Sequence, residues 1–307
     1  MKAISLFSGA GGLDMGFKNA GFRIVWANDI NHDACQTHRL WSDSIVVNDN
    51  IKNISVNSLP DTDLILGGFP CQGFSLAGPR RVDDSRNLLY RFYVKAVSEK
   101  NPSGFIAENV KGILTLGDGK IIKKIIRDFE NAGDGYNVSV HKVNSSDFGV
   151  PQDRVRVFII GISKNLNKND KFKINNIYKE KILIEDVLEK NGTYDERDLC
   201  DASYSSRYMS RNRKRDWNEF SYTIPAMAKQ VTLHPSSPDM IKIDKDKWIF
   251  GEGHTRRFTW REAAKIQTFP SELEFFGDRI SKYRQIGNAV PVKLAEKIGF
   301  MIKEYMR

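Results

Sequence analysis

The sequence predicts an α/β chain: a doubly wound, mostly parallel, Rossmann-like sheet followed by a smaller second domain. Three observations carry this. Short apolar runs alternate with stretches of helical periodicity from Lys2 to Ile162, the pattern of linked βαβ units. A glycine-rich turn, Gly9 to Gly12, joins the first apolar run to the first helical stretch. Beyond Ile162 the alternation fades into polar, lysine-rich sequence and then a stretch of mixed character.

Each element has its own warrant. "KAISLF" is a short strand, and "LDMGFKNAG" a helix stopped by Gly21. "FRIVWAND" reads as the second strand and "NHDACQTHRLW" as the second helix. "SIVVN" and "DLILGG" have the continuous apolar character of buried strands. "NLLYRFYVKAVSEK" is apolar at helical spacing, "GFIAENV" is a strand, "GKIIKKIIRDFENAG" a helix and "RVFIIGI" a late strand. "SKNLNKNDKFKINN" reads as a linker. Residues 1–177 thus form the first domain and 178–280 the second. The closing stretch 281–307, with an amphipathic helix in "NAVPVKLAEKIGFMIKEYMR", is expected to pack back on the first.

Composition narrows the function. The 307 residues are 40% hydrophobic, and no apolar run approaches the length of about 20 that spans a membrane. The start, "MKAISLFSGAGG", lacks the apolar core and cleavage site of a signal peptide, so a cytoplasmic location is expected. Cys35, Cys71 and Cys200 are widely spaced with no C-x-x-C pair, which argues against zinc and against a disulfide framework. The five histidines are dispersed, and "HPSSPD", His234 to Asp239, reads as a turn, so no metal site is expected. A formal net charge of +9 favours a polyanionic partner.

The glycine loop, "LFSGAGGLDMGF", departs from the dinucleotide spacing G-x-G-x-x-G and lacks the G-K-[ST] of a P-loop. Taken alone it is a structural turn or a ligand cradle. Asp29 follows Gly9 by twenty residues, at the end of the second strand, where a carboxylate can accept both hydroxyls of a ribose. Together they point to a nucleoside-containing ligand, with an anion at the helix N-terminus as one option.

Cys71, in "GGFPCQGFS", sits just past the carboxyl end of a strand, the edge at which doubly wound sheets bind ligands. A lone P-C-Q is compatible with an inert thiol. However, Glu108 in "AENV" reaches the end of the next strand, and Arg154 and Arg156 in "PQDRVRVFIIG" are two apart, hence on one face of a strand. A thiol, a carboxyl group and two guanidiniums at one edge make a candidate active site.

At these residues the chain resembles the DNA (cytosine-5) methyltransferases of bacterial restriction–modification systems. "LFSGAGGLDMGF", "GGFPCQGFS", "DSRNLLY", "AENVKGIL", "PQDRVRVFIIG", "RRFTWREAAKIQTFP" and "QIGNAVPV" are similar to that family's motifs, in the family's order. The resemblance implies an S-adenosylmethionine-dependent fold and a covalent mechanism on a cytosine flipped out of duplex DNA. Cys71 would add to carbon 6, Glu108 would contact N3 and the exocyclic amine, and Arg154 and Arg156 would hold the carbonyl oxygen and nearby backbone. Residues 75–87, "SLAGPRRVDDSRN", resemble the family's mobile loop.

The same resemblance assigns the cofactor site to Phe7, Gly9, Ala10, Gly12, Asp29, Ile30, Pro70, Leu89, Asn288 and Val290. Where the family usually has Asp-Ile after its third strand, this chain has Asn50-Ile51, with Asp49 one residue away. It implies DNA contacts from Gln72, Ser75 and Arg81. "RYMSRNRKR", residues 207–215, holds five basic side chains with Trp217 and Tyr222 nearby, which suits a nucleic-acid surface. Arg211, Arg213 and Arg215 suit guanine readout, and Lys214 and Lys229 suit phosphates. The segment is also similar to the recognition region of the subgroup methylating GGCC, although Lys229 stands where that subgroup tends to have an arginine. "FTWREAAKIQTFP" reads as scaffold. The sequence shows no fused kinase, nuclease or chromatin-reading segment, so a monomer is expected; the resemblance implies that it acts on double-stranded DNA and is associated with the nucleoid, either paired with a restriction endonuclease or as an orphan enzyme. An RNA methyltransferase of the same superfamily is the competing enzyme, but its usual Cys-Phe-Thr is not found in this sequence. A DNA-binding relative without activity is disfavoured by the retained Cys71, Glu108, Arg154 and Arg156.

Overall fold

In the computed structural model the described residues are 1–70, 87–166, 171–174 and 181–307, with the side chains of 87 and 88 excluded. Cys71, Gln72, Ser75, Arg81 and nearly all of the stretch 75–87 therefore lie outside them. Two compact units emerge: Met1–Asn144, Val155–Asn176 and Ala295–Arg307 in the first, Ser145–Arg154 and Ile177–Leu294 in the second. The segment Ser145–Arg154 and the part of 281–307 before Ala295 thus group with the second unit, unlike the division expected from sequence.

The first unit begins with β1 (Lys2–Leu6), α1 (Gly12–Asn19), β2 (Arg23–Asp29), α2 (His32–Trp41), β3 (Ile45–Asn48) and β4 (Leu64–Gly67). It continues through α3 (Asn87–Lys100), β5 (Gly104–Val110), α4 (Lys120–Glu130) and β6 (Tyr136–Asn144). After the two-residue β7 (Gln152–Asp153) of the second unit comes β8 (Val155–Ser163). Among the described residues the sheet has seven strands in the order β3-β2-β1-β4-β5-β8-β6. The strands β3, β2, β1, β4 and β5 pair in parallel, while β8 runs antiparallel to both β5 and β6.

Two features of this sheet differ from the sequence reading. β6, "YNVSVHKVN", escapes notice because its mixed polar pattern lacks the continuous apolar run of its neighbours. The late strand β8 is antiparallel because no helical crossover separates it from β6, only a short turn-rich segment.

The core forms where helical periodicity meets the sheet face. α4 buries Ile122, Ile125 and Phe129, three and four apart, which is one helix face. Phe129 stacks on Phe105 of β5 at 4.2 Å between ring centroids. Tyr93 of α3 donates to the carbonyls of both Ile65 and Ile106, so its buried hydroxyl is satisfied between two strands.

The second unit contains β9 (Ser221–Tyr222), β10 (Met240–Asp244), β11 (Lys247–Phe250), α5 (Trp260–Ile266) and α6 (Arg279–Asn288). α7 (Val292–Tyr305) follows α6 after a break at residues 289–291, where the sequence suggested one stretch with a single helix. Pro291 lacks the N–H needed to continue α6 and opens α7 instead. β7 pairs with β9 and β10 with β11; other backbone order comes from short 3-10 turns. α5 starts with a capping box, Thr259 and Glu262 each accepting from the other's backbone N–H. Among the described residues no helix is long and apolar enough to cross a membrane.

Candidate active site

Parallel pairing places the carboxyl ends of β1, β2, β4 and β5 at one edge of the sheet. The chain leaves β1 through Phe7 and Gly9, both with left-handed backbone (φ 57 and 56), and enters α1 from Gly11 at φ 86. Two loop N–H groups are used internally: Gly9 donates to Asp29 Oδ2 at 2.8 Å and Gly11 to the Ser8 carbonyl at 3.0 Å. An anion at these two groups, one option left open by the sequence, would compete with a carboxylate already in place.

Asp29 also accepts from the Asn31 N–H at 2.8 Å. Burial pushes its carboxyl pKa above the usual range, against the lowering effect of the Asn31 and Gly9 N–H groups. The neighbouring Ile30 is 68% exposed, an apolar side chain presented beside a carboxylate. A Cβ built on Gly9 would meet nothing within 4 Å, so space is open above the loop. Ala10 is buried, and Gly12 begins α1. Cys35 is a buried free thiol donating to the Asp29 carbonyl at 3.3 Å, its pKa pushed up to about 11 mainly by burial and further by Asp29. It is inert filler.

Asn50 and Ile51 take local roles. Asn50 caps a 3-10 turn by accepting from the Lys52 N–H at 3.1 Å, and Ile51 is buried in the main core cluster. Asp49 accepts from the Asn50 N–H and from the Asn53 amide. Pro70 is exposed, and Leu89 is partly buried against the core.

The edge that carries Glu108 and Arg156 is built by β5 and β8. Their antiparallel register sets Val110 opposite Arg156 and Glu108 opposite Phe158. Arg156 and Phe158 are two apart, so Arg156 shares a face with Glu108 on the diagonal. Arg156 Nε meets Glu108 Oε1 at 3.0 Å, with both side chains about seven-eighths buried (13% and 14% exposed). Burial lowers the Arg156 pKa, while the Glu108 charge and hydrogen bond work against that. Gly68 makes room for the carboxylate: a Cβ there would lie 3.1 Å from Glu108 Oε2.

Sequence reasoning passed over Asn109. Its buried amide donates to the Phe69 carbonyl at 2.9 Å and so ties β5 to the residues just before Cys71. The only signal was its place beside Glu108.

Arg154 departs from the expected shared strand face. It lies between β7 and β8, is 1% exposed, and donates to the carbonyls of Ile224, Gly287 and Ala289. All three belong to the second unit, so Arg154 organises that unit's backbone. Within the same unit, Asn288 is exposed at the end of α6 and Val290 is buried.

The basic segment 207–215 is also divided. Arg211 and Lys229 are exposed. Arg213 is buried, donating to the carbonyls of Tyr208 and Arg207 and to Gln230 Oε1, against the free guanidinium that guanine readout needs. Arg215 pairs with Glu219 at 2.7 Å and stacks on Tyr222. Lys214 is held by Asp216 and Asp239, against the expected phosphate contact. His234 is buried, accepts the Ser236 N–H within its turn and lies 3.4 Å from Glu262. Among the described residues no group of His, Cys, Asp and Glu could hold a metal ion.

A family model described as C-5 cytosine-specific DNA methylase matches residues 1–304. Similar proteins include Type II methyltransferase M.FnuDI of Fusobacterium nucleatum, 39% identical, with 99% of this chain and 94% of that protein covered. Type II methyltransferase M.MthTI of Methanothermobacter thermautotrophicus is 40% identical over 99% and 97%. Among solved structures, one described as a DNA modification methyltransferase encoded within an E. coli prophage has a TM-score of 0.75 at 26% identity, covering 99% of both chains. A Spodoptera frugiperda DNMT2 structure shares the fold, with a TM-score of 0.72 at 19% identity, covering 98% of this chain and 99% of that one.

Proposed function

The chain belongs to the C-5 cytosine-specific DNA methylase family, and we propose that it methylates a flipped cytosine in a short duplex site through a covalent Cys71 adduct. Its activity class, methyl transfer to carbon 5 of cytosine in DNA, follows from the family. The observation that carries the finer reading is the Glu108–Arg156 pair at the edge reached by the glycine loop and Asp29.

The residues present fit S-adenosylmethionine. The cofactor is a nucleoside with a cationic sulfonium, and the loop offers it a carboxylate, open space over Gly9 and an exposed Ile30. Asp29 would accept the ribose hydroxyls and Ile30 would cover the adenine. Bound there, the cofactor supplies an electrophilic methyl group.

The protein's part is to make carbon 5 of cytosine nucleophilic. Cys71 attacks carbon 6 as a thiolate. Glu108 in its protonated form donates to N3 and accepts from the exocyclic amine, stabilising charge as the adduct forms. Arg156, already on Glu108, keeps that carboxyl group oriented and offers its remaining donors to the cytosine carbonyl oxygen. Loss of the carbon 5 proton and β-elimination then release Cys71. Arg154 acts on backbone, and Asn109 steadies the approach to Cys71.

For the DNA, Arg211 and Lys229 are exposed cations in the region proposed for recognition, and Arg207 is exposed beside them. A short GC-rich site, GGCC first, is the target to test, and a cognate restriction endonuclease is the expected biological pairing. The decisive experiment is methyl transfer from labelled S-adenosylmethionine to unmethylated duplex DNA by wild type and Cys71→Ser. Product at carbon 5 from wild type alone supports the mechanism, and bisulfite sequencing then reads the site. Equal transfer by the serine variant, or none to any DNA, removes it and makes RNA the next substrate.

A further inference from the structure

The glycine loop is gripped from beneath by a buried polar chain that the reaction itself does not use. Ser5 of β1 donates to Asp14 Oδ1 at 2.6 Å, and His38 Nε2 meets Asp14 Oδ2 at 2.8 Å, all three side chains fully buried. Nε2 faces a carboxylate and therefore carries the proton. Among the described residues His38 Nδ1 has no hydrogen-bond partner, so the other contact of this ring is packing. That contact is Trp41, one helical turn on, at 4.6 Å between centroids. Trp41 in turn donates its indole N–H to the Ala10 carbonyl at 3.0 Å, inside the loop. Gly11 exists for this arrangement: a Cβ there would lie 2.3 Å from Trp41 Cζ2 and 2.6 Å from His38 Cδ2.

From these contacts we infer that Asp14, His38 and Trp41 are positioning residues that set the shape of the cofactor loop, a role resting on the S-adenosylmethionine reading above. Two elements hold the loop at adjacent residues. At the end of β2, Asp29 accepts from the Gly9 N–H; at the last turn of α2, Trp41 donates to the Ala10 carbonyl. A purely apolar core would pack α1 against α2 without burying a carboxylate, which is costly unless its hydrogen bonds are directed. Here they are directed, and the His38 ring they orient packs on Trp41, whose indole N–H ends on the loop. Cofactor affinity should therefore depend on one indole N–H, whereas turnover at saturating cofactor should not.

The test is S-adenosylmethionine binding by calorimetry, with KM and kcat on duplex DNA, for wild type, Trp41→Phe, His38→Ala and His38→Gln. Trp41→Phe keeps an aromatic ring at the last turn of α2 and removes the donor together with part of the indole ring. It should raise Kd and KM for the cofactor by about threefold to tenfold, the effect of one hydrogen bond, with kcat and DNA affinity unchanged. His38→Ala should weaken binding similarly, and His38→Gln should restore it, because its amide N–H can still donate to Asp14. Wild-type cofactor affinity in Trp41→Phe overturns the inference, as does a fall in kcat at unchanged KM. Should Trp41→Phe fail to fold, equal affinity in the two His38 variants overturns it. No cofactor binding by wild type removes the cofactor reading, and this role with it, a result distinct from any variant-specific loss.

Discussion

Glu108 and Arg156 meet at 3.0 Å across two antiparallel strands, at the edge where the parallel strands of the same sheet end. The pair is mostly shielded from solvent, so each charge depends on the other. Arg156→Ala should cut kcat by about a hundredfold to a thousandfold, as loss of an active-site donor does, and leave S-adenosylmethionine affinity within twofold. Arg156→Lys keeps the charge but not the Nε geometry and should recover only part of the rate. Single-turnover methyl transfer with calorimetry separates these effects; equal kcat in lysine variant and wild type would show that charge alone suffices.

Asn109 holds the Phe69 carbonyl with a donor that a carboxylate lacks. Asn109→Asp should therefore be at least as damaging to kcat as Asn109→Ala, despite its closer shape. Each leaves a buried carbonyl unpaired, which costs about 1–3 kcal/mol. Chemical denaturation alongside methyl-transfer rates checks both effects, and an aspartate variant with wild-type rate would contradict this role.

Gly9 and Gly11 should fail differently when replaced by alanine. Both have positive φ, costing about 1–2 kcal/mol for a Cβ. At Gly9 the new methyl enters open space, so the fold should survive while cofactor binding falls. At Gly11 it meets Trp41 and His38 at under 3 Å, so stability should fall by several kcal/mol more, as overpacking does. Thermal melts with and without cofactor distinguish the two, and identical melting temperatures for the two variants would refute the distinction.

His234 gives an acid-stability signature. Burial lowers its pKa from 6.5 to about 4, so between those values the unfolded chain binds the proton and the folded chain does not. Stability is then fully present above pH 6.5 and falls as pH drops towards 4, by at most about 3 kcal/mol from this group. The depressed Glu262 carboxyl, held by Arg256, acts in the same direction below its ordinary range. Urea melts at pH 7.5 and pH 5 should show a shallower pH dependence for His234→Asn, and equal slopes would exclude His234 as the source.

The alternation of strands and helices through β5, the glycine loop and the place of Glu108 at a strand end were legible in the sequence. Those features are encoded locally, by periodicity and by residues whose backbone preferences act within a few positions. The basic segment 207–215, proposed for recognition, was legible only as composition. Which arginines stay free was not legible, because a guanidinium's partners are set by chain far away: Arg154 bonds carbonyls 70 and 133 residues on. Arg213 turns inward to carbonyls five and six residues back and to Gln230 Oε1 seventeen residues on. The antiparallel β8, which alone carries Arg156 to Glu108, and the Trp41 contact beneath the loop are equally tertiary. Each depends on strand order and helix packing, where burial of apolar faces decides which polar groups meet.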